Sequence, residues 1–492
     1  MLKDLMRGGA QIWAGTLVMA VAGVAYNLIV ARSLGPGGFG LYTQALLLVP
    51  IMGVMGLLSL DTLLTRVIPE LQTHEKDVAP ILRGAFFVAV VVGAAVALAY
   101  FLGAGFLAWR IFKDPALAPL LQLTAPAIFF AILYNLSLGA FRGLKRFRLY
   151  AVAQFLPPLL SLALVVPALR AWGVAGVLMA WILPLGLVSG LAVVALRKEM
   201  KLAEIEKTGL MVRLSLWLTV VGGILGVLHV LDRGALAFFE SSETVGFYSA
   251  ALLFLLPVSN VATSIRHSMF PYVSGSWAAG NTQEAQRHFE GAIKYTLVIQ
   301  ALLLIPVMGL GSELLRYLLP AYVSALPVLQ ALTYWVFPLS LYILTHTALI
   351  AVGETRRLLV PAVVSVAAAG GLQFLLIPRW HGPGAALAAA IGFLLTAILW
   401  SGMLRGYFRF PLKSSLLITG PVLVLLPVLQ AGTGIAASGW MRLAITAATW
   451  VAYLGWLFQR GIVGKEEVSF MRQEASSIGA WLRGCVKRLW NR

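Results

Sequence analysis

Long apolar runs, separated by short polar or basic segments, fill almost the whole chain. A helix that crosses a bilayer needs roughly 20 mostly apolar residues. Segments of sufficient length are residues 10–32, 39–68, 82–108, 117–141, 149–169, 172–196, 211–239, 244–270, 289–310, 322–351, 358–377, 383–404, 413–431 and 438–459. No polar stretch between them is long enough for a soluble domain. The pattern therefore predicts an all-α polytopic membrane protein with about 14 transmembrane helices.

The basic residues test this division, because cytoplasmic loops of membrane proteins carry an excess of Lys and Arg. With the N-terminus in the cytoplasm, 27 of the 37 Lys and Arg residues fall on the cytoplasmic side and 7 on the opposite side. The remaining three, Arg66, Arg233 and Arg266, lie within spans. One missed helix would reverse every later loop, so the asymmetry supports the predicted spans. It also predicts that both termini are cytoplasmic, in a bacterial or archaeal inner membrane.

Composition agrees with a bilayer environment and excludes several classes of protein. Apolar residues make up 60% of the chain and charged residues 11%, against roughly 25% charged in soluble domains. The net charge of +18 indicates contact with anionic lipids rather than nucleic acid. Cys485 is the single cysteine, which excludes an intramolecular disulfide and a cysteine-based metal site. Because no Walker motif occurs either, the sequence predicts no enzyme activity, no cofactor and no metal.

An internal repeat divides the chain into related halves. The repeated segments are Gly40–Ala45 with Gly246–Ala251 at an offset of 206, Leu133-Tyr134 with Leu341-Tyr342 at 208, Gly143–Arg146 with Gly353–Arg356, and Gly173–Val177 with Gly382–Ala386. Repeats of six helices run parallel, and transporters built this way bind substrate between the halves. We therefore predict six-helix bundles at residues 1–200 and 201–410, followed by two further transmembrane helices at 411–460.

The remaining residues, 461–492, read as a basic amphipathic tail. Its apolar stripe is Ile478, Leu482, Cys485 and Leu489, and its polar face holds Arg483, Lys487 and Arg488. This pattern is typical of a helix that lies on an anionic cytoplasmic leaflet. A solvated tail without a membrane contact is the alternative.

Several of these segments resemble a known superfamily. Ala31-Arg-Ser-Leu-Gly-Pro-Gly-Gly-Phe-Gly-Leu-Tyr42, Leu60–Glu70, Leu231–Gly234 and Val245–Tyr248 resemble the multidrug/oligosaccharidyl-lipid/polysaccharide exporters, most closely the polysaccharide-export and O-antigen flippase branch. The resemblance covers essentially residues 1–460. It implies a V-shaped pair of bundles that moves undecaprenyl-diphosphate-linked oligosaccharide, or a polysaccharide precursor, to the outer leaflet by alternating access. The implied partners are this lipid-linked substrate, anionic lipids, and a polysaccharide polymerase or glycosyltransferases.

Charged residues inside membrane helices are costly and often functional. Arginine binds phosphate through two parallel hydrogen bonds and does not lose its charge. Arg66 and Arg266 each precede a proline near the predicted cytoplasmic end of the second helix of a bundle, and His267 adds a donor. We predict that these three residues bind the substrate diphosphate. The resemblance supports this assignment, since lipid II flippases place arginines on helices 2 and 8. The alternative is that both arginines reach the lipid interface.

Other polar residues within the spans are candidates for coupling and for sugar recognition. Asp61, Asp232 and His229 are candidates for ion coupling, and a local ion pair, bound water or a structural histidine is the alternative. Sugar hydroxyl groups would be bound by amide side chains, for which the candidates are Gln44, Asn135 and Asn260. Hydrogen bonds between helices explain these amides equally well.

Three other functions compete with the flippase. A multidrug or cation antiporter of the same superfamily is the nearest, but a cationic drug requires a cavity dominated by carboxylates, and the arginines favour an anion. A membrane-embedded glycosyl- or acyltransferase needs a catalytic acid at a membrane face, for which the obvious candidates on the outer side are Asp114 and Glu313. A scaffold for capsule synthesis would leave the arginines within the helices unexplained.

Overall fold

The computed structural model describes residues 2–74, 77–200, 208–354, 356–435 and 438–463, without the side chains of residues 2–21, 66, 73, 208–218, 356 and 435. These residues form helices and connecting turns. The helices are α1 Leu2–Leu46, α2 Val49–Leu57, α3 Leu60–Thr73, α4 Ala79–Phe106, α5 Leu117–Gly143, α6 Phe147–Leu196, α7 Thr208–Phe239, α8 Ser242–Ala278, α9 Thr282–Gly309, α10 Gly311–Leu318, α11 Leu326–Ala351, α12 Leu359–Leu404, α13 Leu412–Ile435 and α14 Gly439–Gln459. A π-helical turn spans Leu107–Ile111, and 3₁₀ turns span Pro320–Ala325 and Arg356–Leu358.

Eleven helical segments of the described chain are long and apolar enough to cross a membrane. Three of them contain one residue with non-helical backbone angles, at Gly35, Gly173 and His381. The chain folds back at these residues: Gln373 before His381, for example, donates a hydrogen bond of 3.2 Å to the Ala385 carbonyl after it. Each of the three segments thus provides two spans, and the all-α fold with about 14 transmembrane helices is confirmed.

The second predicted span is not one helix. Residues 39–68 are shared among the end of α1, α2 and α3, so the prediction of a single helix was wrong. Leu58 and Ser59 have left-handed backbone angles, with φ of 51° and 52°, which L-residues adopt at a cost. Ser59 lies 3.3 Å from the hydroxyl of Thr219 on α7. A tertiary contact therefore accompanies a break that hydropathy does not reveal.

The loops define two faces of the molecule. We call outer face the side that holds Gly35, residues 112–116, residues 240–241 and residues 319–325, and inner face the opposite side. The predicted charge distribution assigns the inner face to the cytoplasm. Counted from the outer face, α5, α8 and the chain after Gly35 all run inward.

Backbone geometry repeats between the halves. Lys145 and Gly353 have φ of 57° and 88° at matching turns after α5 and α11, and the hydrogen bonds from Arg146 to Phe141 and from Glu354 to Leu349 also match. The offset is 208, as it is between the breaks at Gly173 and His381. The offsets of 210 and 209 read from the sequence at these places were therefore wrong, because turn conformation rather than residue type is repeated.

Helix packing follows the same order in both halves. In the first half α5 packs against α3, α4 and α6, and in the second α11 packs against α8, α9 and α12. The halves meet where α1 contacts α8 and α2 contacts α7. Helices α13 and α14 pack on α9. The bundles at 1–200 and 201–410 and the added helices at 411–460 stay predictions, and the tail from residue 464 lies outside the described residues.

Candidate functional site

The two halves touch most closely at the outer face. A Cβ atom on Gly40 would lie 1.6 Å from the carbonyl oxygen of Ser242, and one on Gly246 would lie 1.9 Å from that of Pro36. Only glycine permits so close an approach of two backbones. Gly40 and Gly246 are related by the repeat offset of 206, so the contact is symmetric. We call these residues the outer junction.

Hydrogen bonds between the halves surround the outer junction. Ser242 at the start of α8 contacts Asp114 Oδ2 at 2.8 Å and Gln44 Oε1 at 3.1 Å. The hydroxyl of Tyr322 donates to the carbonyl of Ala31 at 2.8 Å. Gln44, predicted to contact sugar, is 1% exposed and belongs to this junction. The outer face is therefore closed by backbone contacts and by side-chain hydrogen bonds, one of which is accepted by the carboxylate of Asp114.

A second region of interest lies toward the inner face, on α3 and α5. Arg142 Nη2 lies 3.4 Å from Asp61 Oδ2, and both side chains are partly exposed. The helices approach closely here, since a Cβ on Gly139 would lie 2.6 Å from the Asp61 backbone. The guanidinium of Arg142 also lies 5.8 Å from the ring centre of Tyr150. Asp61 is thus contacted by α5 through Oδ2 and by Thr62 of its own helix, which donates to Oδ1 at 3.4 Å.

Helix α8 of the other half brings two further cations to this level. Arg142 is 25 residues from the outer start of α5, and Arg266 is 24 residues from the outer start of α8. At about 1.5 Å per residue both lie roughly 36 Å from the outer helix ends. Arg266 Nη2 is 3.4 Å from His267 Nε2, and His267 is exposed. Both Arg266 and Arg142 act electrostatically on His267, so the two halves face each other with positive charge.

Arg142 is the functional candidate that sequence reasoning missed. Its position near a predicted loop placed it among the cytoplasmic topology charges, and no spacing pattern links residue 61 to residue 142. The side chain of Arg66 lies outside the described residues. The repeat offset of 206 relates Asp61 to His267 and Arg66 to Tyr272. Arg66 and Arg266 both precede a proline, but they do not occupy equivalent positions of the repeat.

A ring cluster adjoins Arg266 in the second half. His229 is exposed in the middle of α7, although its ring lies 5.4 Å from that of Tyr342 and 5.2 Å from that of Phe393. An exposed side chain enclosed by other helices faces an internal cavity. His346 stacks on Trp400 with ring centres 5.0 Å apart. Arg266 acts electrostatically on both histidines, so the cluster and the arginine form one neighbourhood.

Asp232 is buried one turn beyond His229. Its Oδ2 accepts a hydrogen bond of 2.6 Å from the Tyr248 hydroxyl, and its Oδ1 accepts one of 2.7 Å from the Arg233 backbone.

The two candidate asparagines, unlike Asp232, are exposed. Asn135 is exposed and donates to the Ala131 carbonyl of its own helix at 2.8 Å, and Asn260 is exposed on α8. These amides remain candidates for sugar contacts.

The charges within the described spans favour an anion. Arg142, Arg233 and Arg266 lie there with the carboxylates of Asp61 and Asp232, each of which already accepts a hydrogen bond. Among the residues that the structure describes, no group of three or more His, Cys, Asp or Glu side chains could hold a metal ion. Arg142 pairs with Asp61 and Arg233 with Asp232, so the guanidinium of Arg266 leaves a net positive charge, which attracts phosphate strongly in a low-dielectric region.

Comparison with solved structures shows that the chain shares its fold with several membrane transporters. It superposes on the lipid II flippase MurJ in an inward closed conformation with a TM-score of 0.75 at 16% identity, covering 92% of this chain and 100% of that one. A MOP superfamily transporter from Pyrococcus furiosus gives a TM-score of 0.58 at 14% identity, with 82% and 93% covered. An inward-facing multidrug resistance MATE transporter gives 0.62 at 13% identity, with 84% and 96% covered.

Sequence comparison identifies the family more narrowly. A family model described as "Polysaccharide biosynthesis protein" matches residues 29–319, more than half of the chain. None of the curated proteins matches the chain in sequence. The family match includes the outer junction, Arg142, Arg266 and His267.

Proposed function

Because the chain belongs to the polysaccharide biosynthesis protein family, we propose that it is a flippase for a lipid-linked oligosaccharide or polysaccharide precursor. The substrate carries its sugars on undecaprenyl diphosphate and moves from the inner to the outer leaflet of a bacterial or archaeal inner membrane. One observation carries the proposal: Arg142 of α5 and the Arg266–His267 pair of α8, from opposite halves, lie at the same depth near the inner face, 25 and 24 residues from the outer starts of their helices. Two cationic groups placed in this way suit one diphosphate.

Arg142 is prepared for such a ligand. Its Nε is buried and has no hydrogen-bond partner among the described residues, while Asp61 engages one terminal nitrogen at a long 3.4 Å. A diphosphate offers shorter, charge-assisted hydrogen bonds of about 2.7–2.9 Å. Asp61 therefore holds the guanidinium in place until the substrate phosphate replaces it.

The closed outer junction and the exposed inner charges give a direction to the cycle. In this arrangement Arg142 and His267 are open to the inner side, and the glycine contact blocks the outer side. We infer that the headgroup binds from the inner leaflet, after which Gly40 and Gly246 separate and release it outward. Cytoplasmic termini, and partners among polymerases or glycosyltransferases, belong to the same proposal.

A cation antiporter is the second candidate, supported by the shared fold of the MATE multidrug transporters and by the two carboxylates Asp61 and Asp232. Both carboxylates are engaged by partners of the same chain. A cationic substrate would have to displace Arg142 and Tyr248 from them and would meet the remaining guanidinium groups.

The test is transbilayer movement of undecaprenyl-diphosphate-linked sugar in proteoliposomes, comparing the intact protein with R142Q, R266Q and the outer-face control R110Q. We expect each inner variant to lower the rate roughly tenfold or more, since a charge-assisted hydrogen bond contributes about 1.5–3 kcal/mol. The control should retain the rate. If the intact protein moves no lipid but expels cationic dyes against a proton gradient, the antiporter replaces the flippase.

A further inference from the structure

The ring cluster beside Arg266 contains titratable groups that the proposed flippase does not use. His229 and His346, which we call the histidine pair, lie on α7 and α11 with Tyr342 between them. The rings of Tyr342 and His346 are parallel, with an interplanar angle of 2° and centres 6.2 Å apart. The Tyr342 ring therefore contacts both imidazoles. Two imidazoles placed on either side of one ring form a unit that can bind a proton.

Hydrogen-bond donors without partners border the same cluster. Trp400 stacks on His346 and is fully buried, and its indole Nε1 has no hydrogen-bond partner among the described residues. Trp335 packs edge-on against Phe393 and likewise has an unpartnered buried Nε1. Buried donors without partners are rare in native proteins and ask for an explanation. An anion or a polar headgroup that enters the cavity supplies the acceptor they lack.

The charged and titratable groups that face the histidine pair are few. Helix α7 contributes Arg233, helix α8 contributes Arg266, and α11 contributes Tyr342. Helix α12 contributes Phe393 and Trp400, which do not titrate. Asp232 beside Arg233 is engaged by the Tyr248 hydroxyl. The field at the histidine pair is therefore positive.

A positive field disfavours an additional positive charge, and an anion bound at Arg266 reverses that effect. We propose that the anion site extends from Arg266 to the histidine pair, and that binding of a lipid diphosphate draws a proton from solvent into this pair. The proton is released when the diphosphate leaves, so headgroup and proton are bound cooperatively. This inference rests on the proposed flippase function and adds a proton-dependent subsite to it.

The experiment is calorimetric titration of the detergent-solubilised full chain with undecaprenyl-diphosphate-linked sugar in two buffers of different ionisation enthalpy. Both phosphates of this ligand are esterified, so it does not titrate near neutrality and any proton taken up belongs to the protein. We expect uptake of about one proton at pH 7.5 and a Kd that weakens by up to about tenfold per pH unit above neutrality. The double variant H229Q/H346Q should bind with no uptake and a Kd independent of pH.

Controls assign the proton to the histidine pair. His288, which lies on α9 near the inner face beside Glu284, supplies the matched variant H288Q, which should keep the uptake. Single variants H229Q and H346Q, checked by thermal unfolding, provide the test if the double variant does not fold. Uptake that persists in all folded variants of the pair, or that disappears in H267Q alone, overturns the inference. If the intact protein binds the lipid without taking up a proton, the proton-dependent subsite is wrong and the proposed flippase function is unaffected. If the intact protein does not bind the lipid, both the subsite and the flippase function are wrong.

Discussion

The two halves place side chains at equivalent positions but give them different charges. The offset of 206 relates Gly23, Tyr26, Asn27 and Tyr42 of the first half to His229, Asp232, Arg233 and Tyr248 of the second. In the first half the Tyr26 hydroxyl donates to the Val177 carbonyl at 2.8 Å, and Asn27 donates to the Gly23 carbonyl at 2.9 Å. In the second half Tyr248 bonds with Asp232, and Arg233 donates to the His229 carbonyl at 3.3 Å.

This difference shows which property the repeat preserves. Backbone position decides which side chain reaches a carbonyl one turn earlier, so the bond from Asn27 to Gly23 recurs as the bond from Arg233 to His229. Ionised groups within a membrane are costly unless a partner or a ligand stabilises them. Neutral side chains at the equivalent sites of α1 avoid this cost. The charge at these sites is therefore confined to the half that carries Arg266.

The largest effect is expected at the outer junction, where the halves are alike. Gly246→Ala places a methyl group 1.9 Å from the Pro36 carbonyl, which forces the closed outer face apart. Flipping should fall to background, and the free energy of unfolding should drop by roughly 1–3 kcal/mol. Gly40→Ala should do the same. Gly190→Ala is the control, since nothing lies within 4 Å of a Cβ there; normal flipping in both junction variants would show that the junction does not close during transport.

A second prediction separates the two roles of Arg142. If Arg142 binds phosphate, R142Q lowers the flipping rate roughly tenfold or more, because a charge-assisted hydrogen bond is lost. Adding D61N should not restore the rate, since the phosphate donor is still missing. Recovery in the double variant R142Q/D61N would mean that Arg142 serves only to neutralise Asp61. The measurement is the flipping rate in proteoliposomes at equal protein density.

A third prediction compares the equivalent residue pairs directly by double-mutant cycles on the free energy of unfolding. The pair D232L and Y248F should show a coupling of about 1.5–3 kcal/mol, because the acceptor is ionised. The pair Y26F and Y42F should show less than about 0.5 kcal/mol, below the usual contribution of a neutral hydrogen bond, because the Tyr26 hydroxyl donates to the Val177 carbonyl instead. Equal couplings would show that the charged hydrogen bond adds nothing to the second half.

The smallest effect concerns an ion pair at the outer face of the second half. Its acidic member is Glu313, and the equivalent position of the first half, at an offset of 208, is Gly105. Glu313 pairs with Arg442 of α14 at 2.6 Å. Burial acts to raise the pKa of Glu313, but hydrogen bonds from Ser312, Arg442 and the backbone outweigh it and lower that pKa.

A folded-state pKa below the unfolded value of about 4.3 means that the contribution to stability is present above that pH. It is lost as the pH falls through the lower folded-state pKa. E313Q should therefore reduce the free energy of unfolding at pH 7 by less than about 1 kcal/mol, and the difference should vanish near pH 3. A difference that is independent of pH would assign the effect to packing of α10 on α14.

Sequence reasoning reached the span number and located the repeated turns, while its site residues stay predictions. Arg266 and His267 became candidates because an arginine within an apolar span is easily recognised in the sequence. Arg142 was missed because it lies in the last turn of α5, beside loop charges that serve topology. Gln44 was assigned to sugar because an amide within a span looks the same from sequence whether it lines a cavity or joins two helices.

The sequence by itself determined that this chain folds as about fourteen membrane helices in a repeated order, because the bilayer imposes length and apolarity on every span and charge bias on every loop. Only the tertiary structure decided which residues meet. Asp61 and Arg142 stand 81 positions apart, and Gly40 meets Ser242 across the two halves. Helices in a membrane pack by shape and local polar contacts rather than by apolarity, and these properties emerge only when the helices are placed side by side.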